Sequence, residues 1–305
     1  MKKKLLILFF AIIILSSCSH NSSDSYAVKS SFVAKEGDSI YYIINHKLYK
    51  KTKEDCTAIS APDHYPYANL VLCYKGKILA YYENIDNSTY ALYDIMSNTV
   101  IKSGETSQFI GQFLCFNDYM LYLSENDGRY DLITEKNGKI VDRIENVKDY
   151  NIIDSRLYYS ISDDEMIVFS KDIGSKNKKK LFSDKYVLSA GFYGDIIAGF
   201  TDTGTVFYNL KKDISYNIEE RLCVWSDIFL DGYIFASSYD SGGIFKIYAE
   251  TGEYNIISRY SCDRIAMIDG NLYLEPYDYG EQNENSLIDK IAVISTDGTL
   301  LEMLD

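Results

Sequence analysis

"DIFLDGYIFASSYDSGGIFKIYAETGEYNIIS", residues 227–258, alternates short apolar runs with turn residues. "DIFL" is an apolar run, "DG" a tight turn and "YIFASSY" an alternating run. "DSGG" is a second turn, "IFKIYAE" another alternating run, "TG" a third turn and "EYNIIS" the last segment. Asp-Gly and Gly-rich pairs between runs rich in Ile, Tyr and Phe are hairpin signals, because tight turns need residues that tolerate positive φ. No stretch shows a convincing apolar period of 3.6 residues. The unit predicts four short antiparallel strands.

The unit recurs. Taking the apolar residue after the first turn as a marker gives Ile40, Ile78, Met120, Leu157, Ile196, Ile234 and Leu272, at steps of 38, 42, 37, 39, 38 and 38. A period of 20–50 residues marks solenoids, propellers or arrays, and four antiparallel strands per roughly 40 residues describe a propeller blade. Seven such units fill residues 28–305. The expectation is an all-β, seven-bladed β-propeller in one domain, with six or eight blades as the alternative counts. Aromatic pairs such as Tyr41-Tyr42 then have a reason: a blade is covered on both faces by its neighbours, so successive side chains are both buried. The 29 tyrosines are first a packing feature, a sugar-stacking surface being the alternative.

"DSIYYIINHKLYKKTKED" (38–55) and "DGYIFASSYDSGGIFKIYAETGE" (231–253) resemble the units of bacterial surface lipoprotein propellers, which share a Gly/Asp, Ile-Tyr-Tyr, Leu-Tyr-Lys pattern with YWTD-type propellers. The chain departs from the WD type, whose members bind partners through their faces: Trp225 is followed by Ser226, and no Gly-His doublet marks a blade start. Ser238-Tyr239-Asp240-Ser241-Gly242, with Phe245 following, resembles a single sialidase-type Asp-box.

The N-terminus supplies an address. Lys2, Lys3 and Lys4 precede the apolar run Leu5–Leu15, which is too short to span a bilayer at about 20 residues per helix and fits a secretory signal. Leu15-Ser16-Ser17-Cys18 resembles the lipobox of bacterial lipoproteins. The resemblance implies a signal peptide over 1–17, cleavage before Cys18, lipidation of Cys18, and a flexible tether over 18–27. Several acyl chains bind a membrane stably where one binds marginally. The chain is thus expected outside the cytoplasm, anchored to the cell membrane or, if the host has two membranes, the outer membrane.

Loss of the three lysines takes the net charge from −13 to −16. That argues against nucleic acid, whose phosphates demand a basic surface. Besides Cys18 there are five cysteines, an odd count that makes a poor disulfide framework. Cys73 in "LVLCY" and Cys115 in "FLCF" read as small buried hydrophobes.

Turns after the second strand carry carboxylates in most units: Asp86, Asp127, Asp164, Asp202, Asp240 and, in the long "EPYDYGEQNENSLID" loop, Asp278 and Glu281 beside Tyr277 and Tyr279. Turns after the third strand carry lysines, among them Lys51, Lys136, Lys139, Lys171, Lys178, Lys211 and Lys212. One end of the propeller is expected to be acidic and the other relatively basic. Turn chemistry alone also favours Asp, and lysines guard exposed edges. On the simple strand order the tether joins the acidic end.

Candidate chemistry is sparse. His20, His46 and His64 show no metal-ligand spacing, and there is no Gly-x-Ser-x-Gly elbow, phosphate loop or His-Glu-x-x-His. No catalytic residue, metal or cofactor is assigned. The expectation is a monomeric, non-catalytic envelope lipoprotein that binds a protein or glycan through one propeller face. A scaffold for envelope or outer-membrane assembly is the alternative, and a glycan-active enzyme a third reading.

Overall fold

The structure, a computed structural model, describes residues 28–162, 164–193, 195–223, 228–276 and 290–305. A short strand β1 (Val28–Lys29) precedes seven four-stranded units. Blade 1 holds β2 (Val33–Glu36), β3 (Ser39–Ile44), β4 (Lys47–Lys51) and β5 (Cys56–Ala58). Blade 2 holds β6 (Tyr67–Tyr74), β7 (Lys77–Asn84), β8 (Thr89–Asp94) and β9 (Thr99–Glu105). Blade 3 holds β10 (Ile110–Phe116), β11 (Tyr119–Asn126), β12 (Arg129–Lys136) and β13 (Lys139–Ile144). Blade 4 holds β14 (Val147–Ile153), β15 (Arg156–Ser162), β16 (Met166–Asp172) and β17 (Lys178–Asp184). Blade 5 holds β18 (Ser189–Tyr193), β19 (Ile196–Thr201), β20 (Gly204–Asn209) and β21 (Ile214–Ile218). Blade 6 holds β22 (Phe229–Leu230), β23 (Tyr233–Ser237), β24 (Ile244–Tyr248) and β25 (Tyr254–Ser258). Blade 7 holds β26 (Cys262–Ile268), β27 (Asn271–Pro276), β28 (Ile291–Ser295) and β29 (Leu300–Leu304). Every marker residue of the repeat lies on the second strand of its blade.

The hairpins follow from backbone chemistry. Asn45-His46 (φ 50° and 60°), Asp127-Gly128 (51° and 75°), Asn137-Gly138 (51° and 73°) and Asp231-Gly232 (51° and 81°) place both central residues in the left-handed region. That is the signature of the type I′ turn, whose twist matches the flanking strands. Asp and Asn are among the few side chains that enter this region at low cost.

Tyrosine doublets divide between two walls. Tyr41 packs against blade 2, while its neighbour Tyr42 packs against blade 7. Tyr82 faces blade 1 and Tyr81 faces blade 3; all four are at most 3% exposed. Each of the seven blade-to-blade walls is its own apolar cluster. The fourth strands are largely exposed, and first strands of neighbouring blades touch, so the first strand is innermost. We call the end with the turns after the first and third strands the lower face, and the other end the upper face.

The ring closes without strand exchange. Blades 1 and 7 each use four consecutive strands. Their wall is Phe32, Val33, Tyr42 and Ile44 against Ala266, Tyr273, Ile291, Val293 and Leu304. Lys35–Asp269 and Lys51–Glu302 ion pairs span it, and the Tyr42 hydroxyl donates to the Asp305 carbonyl at 3.1 Å.

The N-terminal segment runs through the hub. β1 pairs antiparallel with β10, the innermost strand of blade 3, with Val28 opposite Cys115 and Lys29 opposite Leu114. Buried Ser30 donates from its backbone N–H to the Phe113 carbonyl at 2.8 Å, and its hydroxyl accepts from the Phe113 N–H at 2.9 Å. Ser31 bridges Val71 of blade 2, and the Phe32 carbonyl accepts from Ile43 of blade 1. First strands run from the upper to the lower face, so β1 runs the opposite way. Val28 therefore stands at the lower end of the hub, and five residues make a reversal into blade 1 that simple strand order does not anticipate. The tether over 18–27 lies outside the described residues.

Candidate functional site

The upper face carries the sequence-predicted carboxylates on separate blades. Asp86, Asp127, Asp164 and Asp202 lie in the second-to-third turns of blades 2, 3, 4 and 5, all exposed. Asp86 is set by its turn, its backbone N–H donating to Asn84 Oδ1 at 3.1 Å. Asp240 of blade 6 is differently placed. Arg221 donates to it from Nε at 2.7 Å and from its backbone N–H at 2.8 Å. This guanidinium holds the Asp240 carboxyl below the usual carboxylate range, and Asp240 in turn raises Arg221. The Asp-box-like stretch around it is a turn: the Ser238 hydroxyl accepts the N–H groups of Asp240 and Ser241 at 3.1 Å each. Tyr277, Asp278, Tyr279 and Glu281, together with Asp163, lie outside the described residues.

Other upper-face carboxylates serve the scaffold. Glu83 accepts from the Asn69 side chain at 2.6 Å and from the Tyr81 hydroxyl at 2.9 Å. Because Asn69 spends its amide N–H on Glu83, its carbonyl faces His46, and His46 Nδ1 must donate across 3.0 Å. Asp131, nearly buried, takes Arg143 Nε at 2.7 Å. Glu275 takes two bonds from Arg264, whose guanidinium also stands 5.4 Å over the Phe32 ring. Asp149 ties blade 4 to blade 5 through the Ser189 hydroxyl and the Ala190 N–H, at 3.2 and 3.1 Å. Sequence reasoning missed these partners. Asn69 and Arg264 sit at bulges of innermost strands, where the pairing shifts register between Ala68 and Leu70 and between Cys262 and Ile265. A bulge re-aims a side chain, and alternation along a strand does not announce it.

The lower face is not simply basic, contrary to expectation. The first-to-second turns share this end and carry exposed Asp38, Asp118, Asp154, Asp195, Asp231 and Asp269. They ring the hub, while the lysines of the third-to-fourth turns stand further out. Lys75–Asp118 (3.7 Å) and Lys212–Glu250 (2.7 Å) are among the pairs that mix the signs. Asp is there because those turns need left-handed backbone, as at Asp154, Asp231 and Asp269 (φ 47°, 51° and 52°). Blade 6 adds a groove of about 360 Å³ to this face, lined by Tyr233, Tyr248, Glu253, Tyr254 and Asn255. Its signal was present in "DGY" and "IYAETGEY", which put three tyrosines at one end of one blade.

Two observations bear on chemistry. Among the described residues no three His, Cys, Asp or Glu side chains converge as metal ligands would. Among the described residues the five cysteines after Cys18 form no disulfide. Burial, with Glu36 accepting from the thiol at 2.5 Å, pushes Cys73 up to about 12; burial does the same to Cys115. Such thiols are held protonated and do not act as nucleophiles near neutral pH.

No protein-family profile matches the chain, and no curated protein sequence does. Solved structures do resemble it. An uncharacterised protein of Listeria monocytogenes EGD-e is similar at TM-score 0.60 and 11% identity, covering 91% of this chain and 95% of that one. The computationally designed Ika8 protein is similar at TM-score 0.58 and 12% identity, with 92% and 87% covered. An extracellular domain from B. thetaiotaomicron is similar at TM-score 0.56 and 10% identity, covering 91% of this chain and 42% of that one. At such identities the likeness is one of fold. The chain is a seven-bladed β-propeller. Among the described residues no helix is long and apolar enough to cross a membrane.

Proposed function

We propose that the chain is an exported, non-catalytic binding scaffold of the cell envelope, tethered through a lipidated Cys18. It meets a protein or glycan partner through its upper face. The lipobox-like Leu15–Cys18 supports the anchor, and the extracellular neighbour is in keeping with export. The observation that carries the choice of face is the direction of β1. The chain enters the hub from the lower face, so an anchor ten residues before Val28 pulls on that side. Ten extended residues reach about 35 Å at most, which leaves the lower face near the lipid surface. The exposed turns at Asp86, Asp127, Asp164 and Asp202 then point away from it, where their shared sign draws cationic groups by long-range attraction.

The test uses the lipidated chain in liposomes with Cys56 changed to Ser. Single cysteines are placed at Asp127 on the upper face and at Asp154 on the lower. A bulky maleimide reagent should react several-fold faster with Asp127→Cys than with Asp154→Cys, and equally with both once Cys18→Ser releases the chain. Equal rates on the liposome would sink the orientation. A Cys18→Ser chain that stays with the membrane would sink the anchor.

A further inference from the structure

We infer that the blade 6 groove on the lower face is a binding subsite for a neutral sugar ring. This goes beyond the proposed function and does not depend on the anchor or on the upper face. The groove, of about 360 Å³, is open to solvent and lined by Tyr233, Tyr248, Glu253, Tyr254 and Asn255, so it would hold a single ring against its wall rather than enclose a ligand. Tyr254 is half exposed, and the ring of Phe245, itself buried, stands 5.3 Å behind it. An exposed aromatic braced by a buried one is a platform whose position is fixed before a ligand arrives. Preorganisation of this kind removes an entropic cost of binding. Tyr233 and Tyr248 form a second pair, 5.4 Å between centroids. The turn beside them is rigid as well: the Tyr248 N–H donates to the Glu253 carbonyl at 2.8 Å. Gly252, with φ 77°, lies so close to the Tyr216 ring of blade 5 that an added Cβ would meet it at 2.1 Å.

Charge decides among ligand classes. A cation would seek the tyrosine faces, but Lys246 Nζ already stands 4.5 Å over Tyr233, held by the Thr296 carbonyl at 3.3 Å. A second cation there meets like-charge repulsion. An anion would find Lys246 but meets the Glu253 carboxylate beside it, so the groove holds one charge of each sign and no net charge that selects an ion. What remains is a neutral ligand with a flat C–H face for Tyr254 and hydroxyls for Glu253 and Asn255. A pyranose ring has both. The platform is apolar and the groove's other groups are polar, a combination suited to amphipathic ligands.

The experiment is a titration of the solubilised mature chain with cellohexaose, chitohexaose and maltoheptaose, read by saturation-transfer NMR and calorimetry. At least one should bind, with transfer strongest to ring C–H protons. Tyr254→Ala should weaken it by about tenfold or more, and Tyr254→Phe, which keeps the ring, by less than about threefold. Circular dichroism should be unchanged in both. Binding by none of the three probes would overturn the inference, as would full binding by Tyr254→Ala or displacement by choline. Binding that persists in Cys18→Ser and in Asp127→Asn upholds the subsite whatever becomes of the anchor and the upper face.

Discussion

Tyr90 and Tyr122 share the wall between blades 2 and 3 but differ in what their hydroxyls meet. The Tyr122 hydroxyl donates to Glu135 at 2.5 Å, and Lys102 pairs with the same carboxylate while standing 4.5 Å over the Tyr122 ring. The Tyr90 hydroxyl is buried and has no hydrogen-bond partner among the described residues. Burial raises both phenols well above their ordinary pKa, so each stays protonated. The two Phe substitutions should therefore act in opposite directions. Tyr90→Phe removes an unsatisfied buried group and should be neutral or stabilising by up to about 1 kcal/mol. Tyr122→Phe deprives a buried carboxylate of a donor and should cost about 1–3 kcal/mol. Equilibrium denaturation in urea at pH 7 reads both. Equal effects would mean that the ring, not the hydroxyl, carries the difference.

At the scale of elements, the turns explain what could be read in advance. β8 ends on Asp94, whose carboxylate accepts the N–H groups of Met96 and Ser97 at 3.1 and 3.4 Å. β20 ends on Asn209, whose carbonyl accepts those of Lys211 and Lys212 in the same way. The repeat thus already contains the amide version of this turn, and Asp94→Asn should fold. Burial pulls the Asp94 carboxyl upward, but the Ser97 and Met96 hydrogen bonds and Lys77 outweigh it, leaving the folded pKa lowered. A lowered folded pKa gives stability that is present above the unfolded value of about 3.9 and lost as pH falls through the folded one. Wild type should exceed Asp94→Asn by on the order of 1 kcal/mol at pH 6. The gap should close toward pH 3 in denaturation curves; a gap constant over that range would refute the assignment. Strand and turn positions were legible because such chemistry is local. The charge of a face was not, because it depends on which turns share an end. Arg221 meets Asp240 from the link between blades 5 and 6, and Lys35 meets Asp269 across 234 positions. The two residues of β1 are too few to carry any periodicity, so their pairing with blade 3 was invisible as well.

For the whole molecule, closure is the feature to test. Because blades 1 and 7 exchange no strand, their wall rests on side chains and on the contact of Tyr42 with the chain's last residue. Leu304, 2% exposed, is part of that wall. Leu304→Ala should cost about 2–5 kcal/mol, the range for a buried leucine. Its hydrogen-exchange signature should be polarised, with amides of blades 1 and 7 losing protection before those of blade 4. Uniform loss around the ring would show that the seam is no weaker than the other walls.

The strand in the hub also sets an order of assembly. Ser30 meets Phe113, 83 positions later, and Val28 meets Cys115, so neither can be seated until the third blade has formed. These residues, N-terminal to every blade, are made first and fastened late. Through that interval the centre of the wheel stays open.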